Sequence, residues 1–355
     1  MWIKKIKISN FRNYKNLEIE LNKKINIFYG ENAQGKTNII EAIFLSSIGK
    51  SFRTNKEKEM IKFNEENCNI EIDYEKSDRD GNISINISNK KNVFVNKIKI
   101  KKLSELLGNI NVVIFTPDDI NILKGGPQNR RKFLDVMISQ LRPKYMHLCG
   151  LYQKTLDERN AYLKNIENQK GDFLEIYDEK LAEYGCEIYK YRKEFIEKIK
   201  NKIKTIHANI TNNREDIEII YSSNCENKQE YLELLKQRKK LDIIKGYTTK
   251  GIHRDDFQIV LNQLPVDVYG SQGQHRTAVL SLKLSELQVI YDEIGENPIL
   301  LLDDFMSELD EFRRTRFLEN IKDTQVIITC TDKINIKGKE LKLMNIKEGQ
   351  ILDIK

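Results

Sequence analysis

The chain has 355 residues, with 60 Lys plus Arg against 53 Asp plus Glu and a formal net charge of +7. Hydrophobic residues make up 39% and charged residues 32%, which excludes a disordered chain and predicts a sizeable core under a highly charged surface. At about 150 residues per domain the length predicts two domains, and no stretch approaches the roughly 20 consecutive apolar residues of a membrane span.

Residues 2–9 alternate Trp2, Ile3, Ile6 and Ile8 with lysines and predict a half-exposed strand. Residues 17–21 alternate as well, and Ile25 to Tyr29 is a short apolar run of a buried strand. Helical spacing follows over 37–48, with Ile39, Ile40, Ile43, Phe44 and Ile48 on it. Residues 69–74, 83–87 and 92–100 predict antiparallel strands, and 111–115 another apolar strand. From Gln128 to about Ile210 the pattern is of long helices, with Tyr189, Ile196, Ile199, Ile203 and Ile206 on one stripe. Pro143 marks a boundary there, and 168–171 a turn. A strand at 217–221 and a helix at 228–240 come next. From Phe257 the α/β character returns, with a helix over 278–290, short buried strands at 299–302 and 326–328, and a helix between them at 311–321. The predicted architecture is one α/β domain made of both chain ends, 1–125 and 246–355, interrupted by a mainly helical lobe at 126–245.

The five cysteines, Cys68, Cys149, Cys186, Cys225 and Cys330, are scattered, and no Cys-x-x-Cys occurs. That argues against a disulfide framework or structural zinc and predicts a reducing, cytoplasmic setting. Charge is unevenly spread. Residues 89–102 carry six lysines and no acid, and residues 236–254 carry seven basic residues and one acid. Such segments are either a lysine-rich solvated surface or a docking surface for a polyanion such as DNA.

Three motifs carry chemistry. Gly30-Glu31-Asn32-Ala33-Gln34-Gly35-Lys36-Thr37 fits G-x-x-x-x-G-K-[ST], between a predicted strand and a predicted helix. Such a loop turns backbone N–H groups toward phosphate oxygens at the positive end of a helix. Gly30 and Gly35 permit the turn, Lys36 supplies a cation to the β- and γ-phosphates, and Thr37 offers a hydroxyl to Mg²⁺; Asn38 follows directly. The second motif is the apolar strand 299–302 ending in Asp303-Asp304. Asp303 is placed to hold Mg²⁺ and Asp304 to orient or activate water. The third is Ser271-Gln272-Gly273-Gln274 before an apolar helix, which could aim a hydroxyl and N–H groups at an anion but taken alone reads as an ordinary helix cap.

In this order the motifs resemble the ATP-binding-cassette (ABC) superfamily, where Ser-x-Gly-Gln is the signature turn that binds the γ-phosphate held by another subunit. Ser307-Glu308-Leu309-Asp310 looks like its D-loop, through Ser307 and Asp310. The start Ile8-Ser9-Asn10-Phe11-Arg12-Asn13-Tyr14 is similar to the SMC/Rad50/RecF branch, which implies that Arg12 and Asn13 approach the nucleotide. Phe115-Thr116-Pro117-Asp118-Asp119, Lys124-Gly125-Gly126-Pro127, Arg130-Arg131-Lys132-Phe133-Leu134-Asp135 and Gly251-Ile252-His253-Arg254-Asp255-Asp256 narrow the resemblance to the RecF family, over the full length.

The resemblance implies an ABC-type P-loop ATPase head with an inserted helical lobe, using ATP and Mg²⁺. It implies an ATP-dependent homodimer in which Ser271, Gly273 and Gln274 act in trans. It also implies binding of single- and double-stranded DNA without sequence readout, RecA loading in recombinational repair, and RecO and RecR as partners. Candidate DNA contacts are Lys97, Lys99, Lys101, Arg130, Arg131, Lys132, Lys239, Lys240 and Arg254. The chain departs from the superfamily pattern in three places. Asp304 stands where most cassette ATPases have Glu, which predicts slow hydrolysis suited to a switch. No glutamine follows Ile114 in the presumed Q-loop, where Asp118 and Asp119 are the substitutes on offer. Thr329 and Thr331 follow the strand at 326–328 where a histidine is usual.

Overall fold

A computed structural model of the chain describes residues 1–165, 173–308, 317, 321, 323–333 and 340–354. The N-terminal stretch gives β1 (Trp2–Phe11), β2 (Tyr14–Glu20), β3 (Ile25–Tyr29), α1 (Lys36–Ile48), β4 (Cys68–Glu75), β5 (Asp80–Ile87), β6 (Lys91–Val95), β7 (Ile98–Lys99) and β8 (Val112–Phe115). The middle gives α2 (Asn121–Lys124), α3 (Pro127–Leu141), α4 (Pro143–Lys164), α5 (Leu174–Thr211), β9 (Ile217–Ser222), α6 (Lys228–Lys245), β10 (Asp256–Leu261), β11 (Leu264–Pro265), α7 (Val266–Tyr269) and α8 (Gln272–Ile294). The C-terminal stretch gives β12 (Ile299–Asp303), β13 (Val326–Cys330), β14 (Leu341–Lys347) and β15 (Gln350–Ile354). The predicted turn at 168–171 lies outside the described residues, as does most of the predicted helix at 311–321.

Two units emerge: Met1–Asp119 with Lys283–Lys355, and Ile120–Leu282. In the first, an antiparallel sheet runs β2-β1-β4-β5-β6-β7 and a second sheet runs β15-β14-β3-β13-β12-β8. From β14 to β8 the second sheet is parallel. Its strands β8, β12 and β13 are buried throughout, so they read as unbroken apolar runs. The alternation along β4 instead marks a sheet with one covered face. Helix α1 touches β4 and β5 of one sheet and β8, β12 and β13 of the other. Being covered on both sides explains why it is apolar nearly all round. The predicted strand 92–100 is broken into a hairpin. Asn96 and Lys97 form its two-residue loop with φ of 50° and 66°, the conformation that such tight loops require.

The second unit is built on α4 packed against α5, with α3 and α6 beside them. Pro143 opens α4 at the position where its missing N–H costs least. All five residues of the α5 stripe are buried. The expected return to the ATPase lobe at residue 246 is corrected. Strand β10 pairs with β9, β9 packs on α5 and β10 on α3, so 246–282 belongs with the helices. The Ser271–Gln274 turn therefore lies in the second unit, while Lys36, Asp303 and Asp304 lie in the first.

Candidate nucleotide site

The loop from Gly30 to Gly35 joins β3 to α1 at the carboxyl end of the parallel strands, where ligands of such sheets bind. Gly35 has φ 108°, and a Cβ there would stand 2.4 Å from Asn13 Nδ2. At Gly30, φ 148°, a Cβ would stand 2.3 Å from the Ile346 carbonyl oxygen. Both glycines are thus required by backbone angle and by close approach.

Two hairpin turns hold this loop. Arg12-Asn13 is the β1–β2 turn, and Asn13 Nδ2 donates to the Gln34 carbonyl at 2.9 Å. Its Oδ1 accepts from Asn38 Nδ2 at 2.8 Å. Glu348-Gly349 is the β14–β15 turn, both residues having positive φ. Their N–H groups donate to Gln34, at 2.6 Å to Oε1 and 3.2 Å to the carbonyl oxygen. Gln34 is therefore pinned from both sides by turns some 335 residues apart in sequence. The Glu348 turn is a site element that the sequence motifs did not place beside this loop. The only local signal for it is Gly349 between two short apolar alternations.

Lys36 Nζ donates to the carbonyls of Gly30 at 2.6 Å and Glu31 at 2.7 Å. Burial lowers the pKa of this ammonium group, with Asp304 and Asp303 opposing. Thr37 Oγ1 donates to Asp303 Oδ1 at 2.8 Å. The same oxygen accepts from Thr329 Oγ1 at 2.7 Å, and Asp304 N donates to Thr329 Oγ1 at 3.0 Å. Strand order makes this possible: β13 lies between β3 and β12, so Thr329 reaches the acidic strand end. Burial raises the pKa of Asp303, while hydrogen bonds from Thr329 and Thr37 and the nearby Arg53 charge lower it. Asp304 sits in the left-handed region at φ 51°, unusual for a residue that is not glycine.

Arg12 forms a bidentate pair with Glu41 of α1, at 2.9 and 2.6 Å, and a bond to the Glu59 carbonyl at 2.7 Å. Arg53 joins Glu41 at 3.3 Å and Asn38 Oδ1 at 2.7 Å. Glu41 is fully buried. Sequence reading missed both Glu41 and Arg53, which no local pattern distinguishes from surface charges. Asp119, offered for the Q-loop, accepts from Thr116 N at 2.8 Å, and burial raises its pKa. Asp310 lies outside the described residues, and Ser307 falls in a single helical turn, Phe305–Glu308.

In the second unit, Ser271 and Gln274 form a reciprocal cap on α8. Ser271 N donates to Gln274 Oε1 at 2.8 Å, and Gln274 N to Ser271 Oγ at 3.2 Å. His275 Nδ1 lies 2.7 Å from the Ser271 carbonyl.

The basic candidates divide. Lys97, Lys99, Lys101, Lys132, Lys240 and Arg254 are exposed, and Lys239 is half-buried. Arg254 stacks on Tyr247. Arg130 is corrected as a surface cation. It is buried, pairs bidentately with Asp256 at 2.6 and 2.9 Å, and donates to the Gly125 carbonyl at 2.9 Å. Arg131, half-buried, donates to the Asp255 carbonyl at 2.6 Å. His253 lies inward as well, with Nδ1 at 2.8 Å from Tyr152 OH and Nε2 at 3.1 Å from the Thr248 carbonyl.

Among the described residues, no helix is long and apolar enough to cross a membrane. Residues 2–351 match the family described as RecF/RecN/SMC N terminal domain. The chain is 46% identical over 362 residues to the DNA replication and repair protein RecF of a Clostridium botulinum type A strain, covering 99% of both. It is 44% identical over 366 residues to that of Clostridium tetani, covering 99% of this chain and 100% of the relative. A solved structure of the recombination mediator protein RecF with ATP, in the RecFOR pathway, is 40% identical with a TM-score of 0.93, over 99% of this chain and 97% of that one. An SMC head bound to the C-winged helix domain of ScpA shares the fold, with a TM-score of 0.59 at 15% identity over 100% of this chain and 97% of that one. The expected fold class, an ABC-type P-loop ATPase head, is borne out. On these matches, the chain belongs to the RecF family of the RecF/RecN/SMC ATPases.

Proposed function

We propose that the chain is an ATP-gated DNA clamp of recombinational repair and replication-fork maintenance, cytoplasmic, in which slow hydrolysis resets the clamp. The observation that carries this reading is the meeting of Thr37 Oγ1 and Asp303 Oδ1 at 2.8 Å, beside Lys36 and at the strand ends. A hydroxyl and a carboxylate are hard oxygen donors and fit Mg²⁺. Bound there, the ion supplies charge neutralisation to the β- and γ-phosphates. The protein's own part is positioning. The loop 30–35 and the start of α1 turn N–H groups to the phosphates. Lys36 exchanges its carbonyl partners for phosphate oxygens. Thr329 fixes Asp303, and Asp304 orients the attacking water and takes its proton.

Ser271 and Gly273 of one copy meet the nucleotide on the Lys36 loop of the other, across a two-fold axis. ATP then acts as the glue of a homodimer. Lys97, Lys99, Lys101, Lys132, Lys239, Lys240 and Arg254 offer cations to DNA phosphates, which holds single or double strands without reading bases. The names of the relatives and the ATP-bound neighbour support ATP and DNA as ligands. The pathway name of that neighbour supports RecO and RecR as partners, with RecA loading as the outcome.

Sedimentation with and without ATP tests the reading. The wild type is expected to dimerise with ATP, and Ser271→Ala to stay monomeric. A wild type that stays monomeric with ATP rejects the shared site. ATP hydrolysis stimulated by DNA and lost in Lys36→Ala separates a switch from a DNA-binding protein without turnover.

A further inference from the structure

The turn Ser271–Gln274 is held by a residue from a different part of the second unit. Glu215 lies in the connection between α5 and β9. Its Oε1 accepts from Gln274 Nε2 at 2.9 Å, and its Oε2 lies 3.2 Å from His207 Nε2. His207, on α5, is fully buried, and its Nδ1 lies 2.9 Å from Ser281 Oγ on α8. One carboxylate thus ties the first turn of α8 to α5. The imidazole behind it returns to the same helix at Ser281, about two turns further on.

The geometry fixes which way the Gln274 amide points. Its oxygen accepts from Ser271 N and its nitrogen donates to Glu215. Flipped, the amide would set N–H against N–H at Ser271 and oxygen against carboxylate at Glu215, so both contacts reject that orientation. Glu215 can hold this role because His207 donates to its other oxygen. The charge-assisted bonds at both ends are stronger than neutral ones. Fixing the amide fixes the cap, and the cap sets the position of the Ser271 backbone and hydroxyl.

We propose that Glu215, held by His207, is a positioning residue for the Ser271 turn and sets the strength of ATP-dependent pairing between two copies of the chain. The second half of this rests on the reading of Ser271 as acting across the dimer. A Gln at position 215 presents an oxygen to Gln274 and an N–H to His207 Nε2, which accepts it in the other neutral tautomer while Nδ1–H donates to Ser281 Oγ. It therefore satisfies both contacts, whereas Ala satisfies neither.

Hydrogen exchange of the nucleotide-free protein, ATP affinity and ATP-dependent dimerisation are compared in wild type, Glu215→Ala and Glu215→Gln. In Glu215→Ala, exchange over Ser271–Arg276 is expected to quicken about tenfold and dimerisation to weaken about tenfold, the size of one charge-assisted hydrogen bond. ATP affinity and protection elsewhere in Ile120–Leu282 stay within about twofold. Glu215→Gln stays close to wild type in every measurement. Unchanged exchange at the turn in Glu215→Ala overturns the proposal. Uniform loosening of the whole unit, shared by Glu215→Gln, overturns it too. If Glu215→Ala does not fold, Glu215→Leu, which keeps the bulk and removes both acceptor oxygens, takes its place with the same expectations. If the wild type itself stays monomeric with ATP, the dimer reading fails, and the exchange result alone decides the role of Glu215.

Discussion

Thr37 Oγ1 and Asp303 Oδ1 stand 2.8 Å apart although 266 residues separate them. The strand order brings them together: β3 and β12 flank β13, and all three end at the same edge. The same order delivers Thr329 to Asp303 and to the backbone of Asp304. A residue with no charge and no motif of its own thereby becomes the support of the acidic pair.

Thr329→Val is expected to lower the kcat of ATP hydrolysis by about tenfold to a hundredfold. Removing the partner of a buried carboxylate costs about 1–3 kcal/mol, and here the loss falls on groups that act in the reacting complex. The KM for ATP is expected to change by less than about threefold, because the Lys36 loop is untouched. Thr329→Ser keeps the hydroxyl and restores most of the rate. Steady-state kinetics of the two variants check this.

His253 predicts a dependence of stability on pH. The Thr248 carbonyl can only accept, so Nε2 carries the proton and Nδ1 accepts from Tyr152 OH. Burial lowers the pKa of the ring to about 4. The folded value lies below the unfolded one, so the unfolded chain binds the extra proton. Stability is then full above pH 6.5 and is lost as pH falls toward 4. The wild type is expected to lose about 3 kcal/mol over that window, at about 1.4 kcal/mol per pH unit. His253→Gln does not carry this loss. Denaturant unfolding of both proteins at neutral and acidic pH measures the difference, and parallel curves would remove His253 from the account.

Arg130 and the exposed lysines are expected to respond in opposite ways. Arg130→Ala leaves Asp256 without its bidentate partner and is expected to cost about 3 kcal/mol of stability, with the salt dependence of DNA binding unchanged. Lys240→Ala or Lys97→Ala is expected to leave stability unchanged. Each lowers the slope of log affinity against log salt by about 1 if that lysine meets a phosphate. Unfolding curves and salt titrations of the same variants separate the two classes of cation.

Much of the fold was legible because its signals are local. The run 25–29 is a strand at the expected bounds, and the α5 stripe is buried as its spacing requires. The division between units was not legible at its second boundary. Residues 246–282 look like the α/β return, but β10 takes β9 as its partner, and strand pairing is a long-range choice. The single strand expected at 92–100 failed on Asn96 and Lys97, whose positive φ makes a hairpin loop.

By itself the sequence marked the Gly30–Thr37 loop, the Asp303-Asp304 strand end and the Ser271–Gln274 turn, because each needs particular residue types at adjacent positions. Only the tertiary structure decided which charges are surface and which are buried: Arg130 turns inward to Asp256, and Arg12 to Glu41. It also decided what supports each motif: Thr329 under Asp303, the Glu348 turn on Gln34, and Glu215 on Gln274. The physical reason is common to all of them. A hydrogen bond between residues far apart in the chain depends on sheet order and helix packing, and neither is written in the local spacing of residues. The net charge of +7 marks the difference plainly, since a sum over residues does not say which of them face water.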